Sequence, residues 1–150
     1  MARYFTTVAT PMAPDEAFAY LADLTHFEDW DPGVRRSVQV AGDGLGVGAA
    51  YDVTVASVPR DLVLRYETVE FDAPRTTLVV ARSALFTSED RITVERGADA
   101  GGAVVTYDAE LRLNGPLAVF DLGLRLVFDR IGDRAAAGLR RALQGEAVPS

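Results

Sequence analysis

Arg82, Ser88, Asp90, Tyr66 and Tyr107 are the residues of this chain whose types and spacing could do chemistry. By alternation each falls in step with plainly apolar residues such as Val80, Ile92 and Leu64, so each is predicted to face a sheet interior. A lone charge there is costly unless it finds a partner or water. Arg82 and Asp90 lie on the two strands of a predicted hairpin, where they could pair. Two readings stay open. One is a structural ion pair, or a bulge that turns one of the two outward. The other is a polar patch in a wet cavity, orienting a carbonyl or hydroxyl of an otherwise apolar ligand. In that second reading Asp90, beside Tyr107, becomes a base if burial raises its pKa. Arg82, Asp90 and Tyr107 are therefore the candidate catalytic residues.

The remaining chemistry is narrow. The single His26 has no Cys to join it, which leaves only carboxylates as further ligands and argues against a zinc site. No Ser stands in a Gly-x-Ser-x-Gly elbow, so a Ser–His nucleophile is not indicated, and a surface loop is the plainer reading of His26. Gly42, Gly44, Gly46 and Gly48 lead into the strand around Tyr51 rather than into a helix, so they read as a hairpin or bulge and not a phosphate loop. All 15 basic residues are Arg; without Lys, Schiff-base catalysis and a P-loop lysine are excluded. With Cys at 0, disulfides and thiolate chemistry are excluded too. No metal and no cofactor is expected.

The net charge of −7 argues against nucleic acid and anionic lipid surfaces as partners. At 150 residues the chain is expected to form one domain, 1–150, with about 144–150 as a frayed tail. No signal peptide and no bilayer-spanning apolar run is evident, which points to a cytoplasmic protein.

Most of the elements that must position these residues have period two. Arg3 to Thr10 reads as a first strand; Pro14-Asp15-Glu16 opens a helix, and a second short helix from Leu24 to Trp30 is stopped by Asp31-Pro32-Gly33. Six strands follow, from Val34 to Leu113, separated by short turns that predict an antiparallel meander. The last element is a long helix from Pro116 to Leu143, roughly 40 Å, with Gly145 as its expected stop. Its apolar stripe is Leu117, Phe120, Leu124, Val127, Phe128, Ile131, Ala135, Leu139 and Leu143. Val119, Leu122 and Leu126 add a second apolar face to its front half, a surface that a homodimer or another partner could cover. Ala135, Ala136, Ala137 and Gly138 would let a neighbouring backbone come close.

Three stretches resemble the START-like (SRPBCC) superfamily, and its bacterial polyketide cyclase/dehydrase-like branch in particular. They are APDEAFAYLADLTHFEDWDPGV (Ala13 to Val34), the Gly-rich loop with Tyr51, and VVTYDAELRLNGPL running into the last helix. The resemblance implies an α+β helix-grip fold: a curved seven-stranded antiparallel sheet wrapped around the long C-terminal helix, with two short helices after the first strand. It implies a deep, mostly apolar cavity between sheet and helix. Members bind lipids, sterols, polyketides and other hydrophobic ligands, and a minority catalyse cyclisation or dehydration.

On that fold the expected ligand wall is Phe27, Trp30, Tyr51, Val53, Tyr66, Arg82, Phe86, Asp90, Tyr107, Leu124 and Phe128. Phe27 and Trp30 serve equally as core or as ligand contacts. The favoured function is binding of a hydrophobic small molecule. A polyketide aromatase/cyclase or dehydratase, with Arg82 and Tyr side chains stabilising an enol and Asp90 as base, is the alternative. An interaction module with a filled core is the third.

Overall fold

A computed structural model describes residues 2–56, 60–97, 101–114 and 121–147, with side chains of 121–126 and 146–147 outside the description. Strand β1 (Ala2–Thr10) leads to helix α1 (Pro14–Ala22), a 3-10 turn (Leu24–His26) and the single-turn helix α2 (Phe27–Trp30). Pro14 sits in the first turn of α1, with Asp15 and Glu16 beside it where the helix dipole favours acids. Then come β2 (Val34–Ala41), β3 (Ala50–Val55), β4 (Leu62–Asp72), β5 (Thr76–Arg82), β6 (Phe86–Arg96) and β7 (Ala103–Leu113). Helix α3 (Asp121–Ala142) and a two-residue strand β8 (Glu146–Ala147) complete the order.

One antiparallel sheet runs β2-β3-β4-β5-β6-β7-β1-β8. Its seven long strands form the expected curved sheet of an α+β helix-grip fold. The eighth is an addition: Val8 pairs with Ala147 and Ala9 with Glu146, inside the stretch expected to fray. The Gly-rich segment is the hairpin between β2 and β3, with Gly42, Gly44, Gly46 and Gly48 all at positive φ.

The inner face holds Tyr51, Val53, Tyr66, Val79, Ala81, Ile92, Val94, Val105, Tyr107 and Ala109, all buried. Phe18 and Leu21 of α1, Phe27 and Trp30 of α2, and Leu139 and Leu143 of α3 close over it in one core. Exposed carboxylate–Arg pairs, such as Arg3 with Asp108 and Arg65 with Asp52, line the outer face.

The face that helix α3 buries follows its predicted stripe at Phe128, Ala135, Leu139 and Leu143 and departs from it at Val127 and Ile131. Val127 and Ile131 are 56% and 46% exposed, whereas Ala135, Ala136 and Leu139 are buried. Small residues decide the rotation. A Cβ on Gly132 would enter the Tyr4 ring, and one on Gly138 would land on the Trp30 carbonyl oxygen. The helix therefore approaches closely along its glycine and alanine side, which leaves the larger aliphatics at the rim. Phe128 is partly buried against the core, as its place in the stripe predicts. The expected opening at Pro116, with Leu117, Val119 and Phe120, lies outside the described residues, as do the side chains of Leu122, Leu124 and Leu126.

The helix ends one residue earlier than expected. Gln144 takes the left-handed conformation at φ 52°, and the Gln144 and Gly145 amides donate to the carbonyls of Arg141 and Arg140. This is a Schellman-type stop with Gln in the place usually held by glycine. Gly145 serves a different need, since a side chain there would meet the Ala9 carbonyl of β1.

Candidate functional site

Register places the polar residues. Directly opposed residues of an antiparallel pair share a face, so Tyr51↔Tyr66, Tyr66↔Ala81 and Ala81↔Ser88 form one inward row across four strands. Val79↔Asp90 and Asp90↔Ala109 belong to the next row, and Ile92↔Tyr107 to the one after. The alanines matter. Strands lie about 4.8 Å apart, so Tyr66 must reach over the small side chain of Ala81 to meet Ser88 on the strand beyond. Its hydroxyl lies 3.0 Å from Ser88 Oγ. Tyr107 likewise reaches diagonally past Ala109 and donates to Asp90 Oδ2 at 2.6 Å. Ser88 donates to Asp90 Oδ1 at 3.2 Å.

Helix α2 covers this cluster. Phe27 stacks on Trp30 with centroids 4.8 Å apart, and Trp30 meets the Tyr107 ring edge-on at 5.4 Å. Phe27 meets Tyr66 in the same way at 6.3 Å. Aromatic roof and polar floor thus touch directly. Asp90 is only 4% exposed. Desolvation raises its pKa to about 6, against the lowering effect of the bonds from Tyr107 and Ser88; Asp31 and Asp108 add to the rise by charge repulsion. Burial also pushes Tyr107 and Tyr66 well above the usual phenol value, and the nearby Asp90 charge pushes them further. Both remain protonated donors at neutral pH.

Phe27, Trp30, Tyr66, Asp90 and Tyr107, all expected in the ligand wall, therefore come together around Ser88. Tyr51 and Val53 are wholly buried on the same face, one strand further toward the edge. Phe86 is half-buried at the start of β6. Leu124 lies outside the described side chains. Arg82 is a correction: it is exposed, because Val79 faces Asp90 and so Leu78, Val80 and Arg82 take the opposite side of β5. It pairs in register with Thr87 and makes no inner ion pair with Asp90. The apolar Val80, buried from the outer side, had suggested the wrong parity.

Asp31 was missed by sequence reasoning. Its Oδ1 accepts the Gly33 amide at 2.8 Å, the Asx-type turn that Asp-Pro-Gly favours. Yet it is 9% exposed, and desolvation raises its pKa despite the Gly33 bond. Its charge acts on Asp90, Tyr66 and Tyr107 alike. The turn signature was visible in the sequence, but burial of the turn was not. His26 is half-buried, its Nδ1 2.8 Å from the Tyr20 carbonyl oxygen and its ring stacked on Tyr20, away from the cluster. Among the described residues no group of three or more His, Asp or Glu is placed to hold a metal ion, and no helix is long and apolar enough to cross a membrane.

The arrangement has the parts for proton transfer, with a carboxylate near neutral pKa beside two phenols, and equally the parts for fixing one polar group of an apolar molecule. Comparison with solved structures gives the same architecture. A protein from Thermus thermophilus superposes with a TM-score of 0.74 at 13% identity, covering 95% of this chain and 97% of that one. A START superfamily protein from Mycobacterium smegmatis gives 0.71 at 12%, covering 96% and 98%. The di-domain aromatase/cyclase StfQ of the steffimycin biosynthetic pathway gives 0.67 at 15%, with 93% of this chain matched to 48% of that one. At these identities the likeness is one of fold. No curated protein matches by sequence. A family model described as polyketide cyclase / dehydrase and lipid transport matches residues 1–144. The chain belongs to that family and has a START-like fold.

Proposed function

We propose that the protein binds a hydrophobic small molecule, lipid-like or polyketide-like, between the sheet and the C-terminal helix, against the Asp90 cluster and its aromatic roof. One observation carries this reading: a carboxylate buried on the inner face, with no cation beside it among the described residues, under Phe27 and Trp30. Replacing such a group with packed apolar side chains is commonly neutral or stabilising, so a core built for stability alone has no use for it. Family membership supports the same class of ligand. The unit of binding is the chain 1–150, acting in the cytoplasm without nucleic acid.

Trp30 is the 1 Trp of the chain and sits in the roof, so its emission reports on the site. Titration with fatty alcohols, sterols, flavonoids and aromatic polyketides is expected to give a saturable change with at least one class. Tyr107→Ala should weaken that binding by about tenfold or more. Emission that stays flat across the whole panel would overturn the reading.

Catalysis is the second reading, favoured by the Asp90 carboxyl near 6, where a general base works well at neutral pH. Asp90 would take a proton from carbon or oxygen of a bound polyketide chain, and the Tyr107 hydroxyl, released as Asp90 becomes protonated, would then donate to the developing enolate. Loss of turnover in Asp90→Asn with the fold intact supports it; unchanged turnover removes Asp90 from the chemistry.

A further inference from the structure

A hydroxyl has one proton to give and an ionised carboxylate has none. Ser88 commits its proton to Asp90 Oδ1, and Tyr107 commits its own to Asp90 Oδ2. With the Ser88 proton so engaged, the contact between Tyr66 and Ser88 must be donated by Tyr66. All three hydroxyl protons thus run toward a single carboxylate, and the cluster keeps only lone pairs for a further partner. A carboxylate accepts about four hydrogen bonds; these hydroxyls fill two of Asp90's sites.

The surrounding charge has the same sense. Asp31 is a second buried carboxylate whose field reaches Asp90 and both tyrosines. Among the residues with described side chains, every Arg is exposed or half-exposed. Arg3, Arg35, Arg65 and Arg91 are engaged with carboxylates on the surface, and His26 faces the Tyr20 carbonyl. Among the described residues, the inner face therefore offers acceptors and negative charge around Asp90 but no cation. The Tyr51 hydroxyl, buried without a hydrogen-bond partner, lies one strand beyond Tyr66 and outside the cluster.

We infer that the site selects an apolar ligand whose buried polar group is a hydrogen-bond donor, a phenol or alcohol hydroxyl, and discriminates against apolar carboxylates such as free fatty acids. This rests on the binding reading above and narrows it to a ligand class. A hydroxyl placed against Asp90 gains a charge-assisted bond and fills an open lone pair. A ligand carboxylate placed against Asp90 would give up its hydration and meet acceptors and like charge, and no cation on the described inner face offsets that loss.

The test uses two series matched in apolar frame, dodecanol against dodecanoate and 2-naphthol against 2-naphthoate, measured by calorimetry at about pH 8, where Asp90 is ionised. The hydroxyl compounds are expected to bind about tenfold or more tightly than their acids. Asp90→Asn removes the charge and supplies an N–H, so it should bring each pair to within about threefold. Tyr107→Phe frees an Asp90 lone pair without adding a donor, so it should keep or widen the preference, and it stands in should Asp90→Asn fail to fold. Acids that bind as tightly as their hydroxyl partners would overturn the donor rule and leave the binding reading standing. Absence of binding by all four compounds would overturn the binding reading, and the rule with it.

Discussion

Desolvation holds the Asp90 carboxyl at about 6, above its ordinary 3.8, although two hydroxyls donate to it. A group whose pKa is raised by folding stabilises the fold fully below the unfolded value and loses that contribution as pH rises through the folded value. For Asp90 the contribution is therefore present below about 4, declines through about 6, and is gone above it. A rise of that size corresponds to on the order of 3 kcal/mol. The Asp90→Asn chain lacks this decline. Urea unfolding of both chains at about pH 4 and about pH 8 should show the variant gaining on the natural chain by that order as pH rises. Parallel stabilities would mean that Asp90 is not desolvated. Tyr107→Phe removes a 2.6 Å bond to the same carboxylate. It should cost about 1.5–3 kcal/mol at neutral pH and move the Asp90 titration, followed by carboxyl carbon NMR, upward from about 6. A downward shift would contradict the assigned hydrogen bond. At this scale the sequence showed Asp90, Tyr66 and Tyr107 through strict alternation in β4, β6 and β7. It misled at Arg82, because β5 reads TTLVVAR, apolar on both faces, and parity there depends on pairing with β6.

Helices α2 and α3 meet where the Trp30 carbonyl lies against Gly138. On helix propensity alone, Gly138→Ala would stabilise α3 by about 1 kcal/mol. Here the added methyl strikes backbone and must push α2, with Phe27 and Trp30, off the helix. A net destabilisation of about 1–3 kcal/mol is expected in urea unfolding, together with a change in Trp30 emission. A stabilised variant with unchanged emission would show that the two helices do not touch there. Val127→Ala is the counterpart. The hydrophobic pattern places Val127 in the core, but the residue is 56% exposed, so its truncation should change stability by no more than about 0.5 kcal/mol. The sequence showed that α3 is amphipathic, and its Ala-Ala-Ala-Gly run showed where a backbone could approach. It did not show that Gly132 and Gly138 would turn the helix and leave Val127 and Ile131 at the rim, since that depends on Tyr4 and Trp30 from distant parts of the chain.

For the molecule as a whole, short turns between alternating strands made the meander legible, and the seven-stranded sheet followed from the resemblance; the pairing of β7 with β1 came from the structure. The two-residue strand β8 was not legible: Glu146 and Ala147 carry no strand pattern and pair only because Gly145 brings the chain against Ala9. Cavity formation under the helix was also beyond the sequence, because it depends on how Phe27, Trp30 and Phe128 pack rather than on which faces are apolar. Native mass spectrometry of the gently purified protein, followed by extraction of whatever leaves it, tests most directly whether a ligand is held there. A reproducible one-to-one apolar adduct, lost in Trp30→Ala or Tyr107→Ala, is the predicted result. A bare protein mass, with no uptake from a panel of lipids, flavonoids and polyketides, would contradict it and mean that the core is filled.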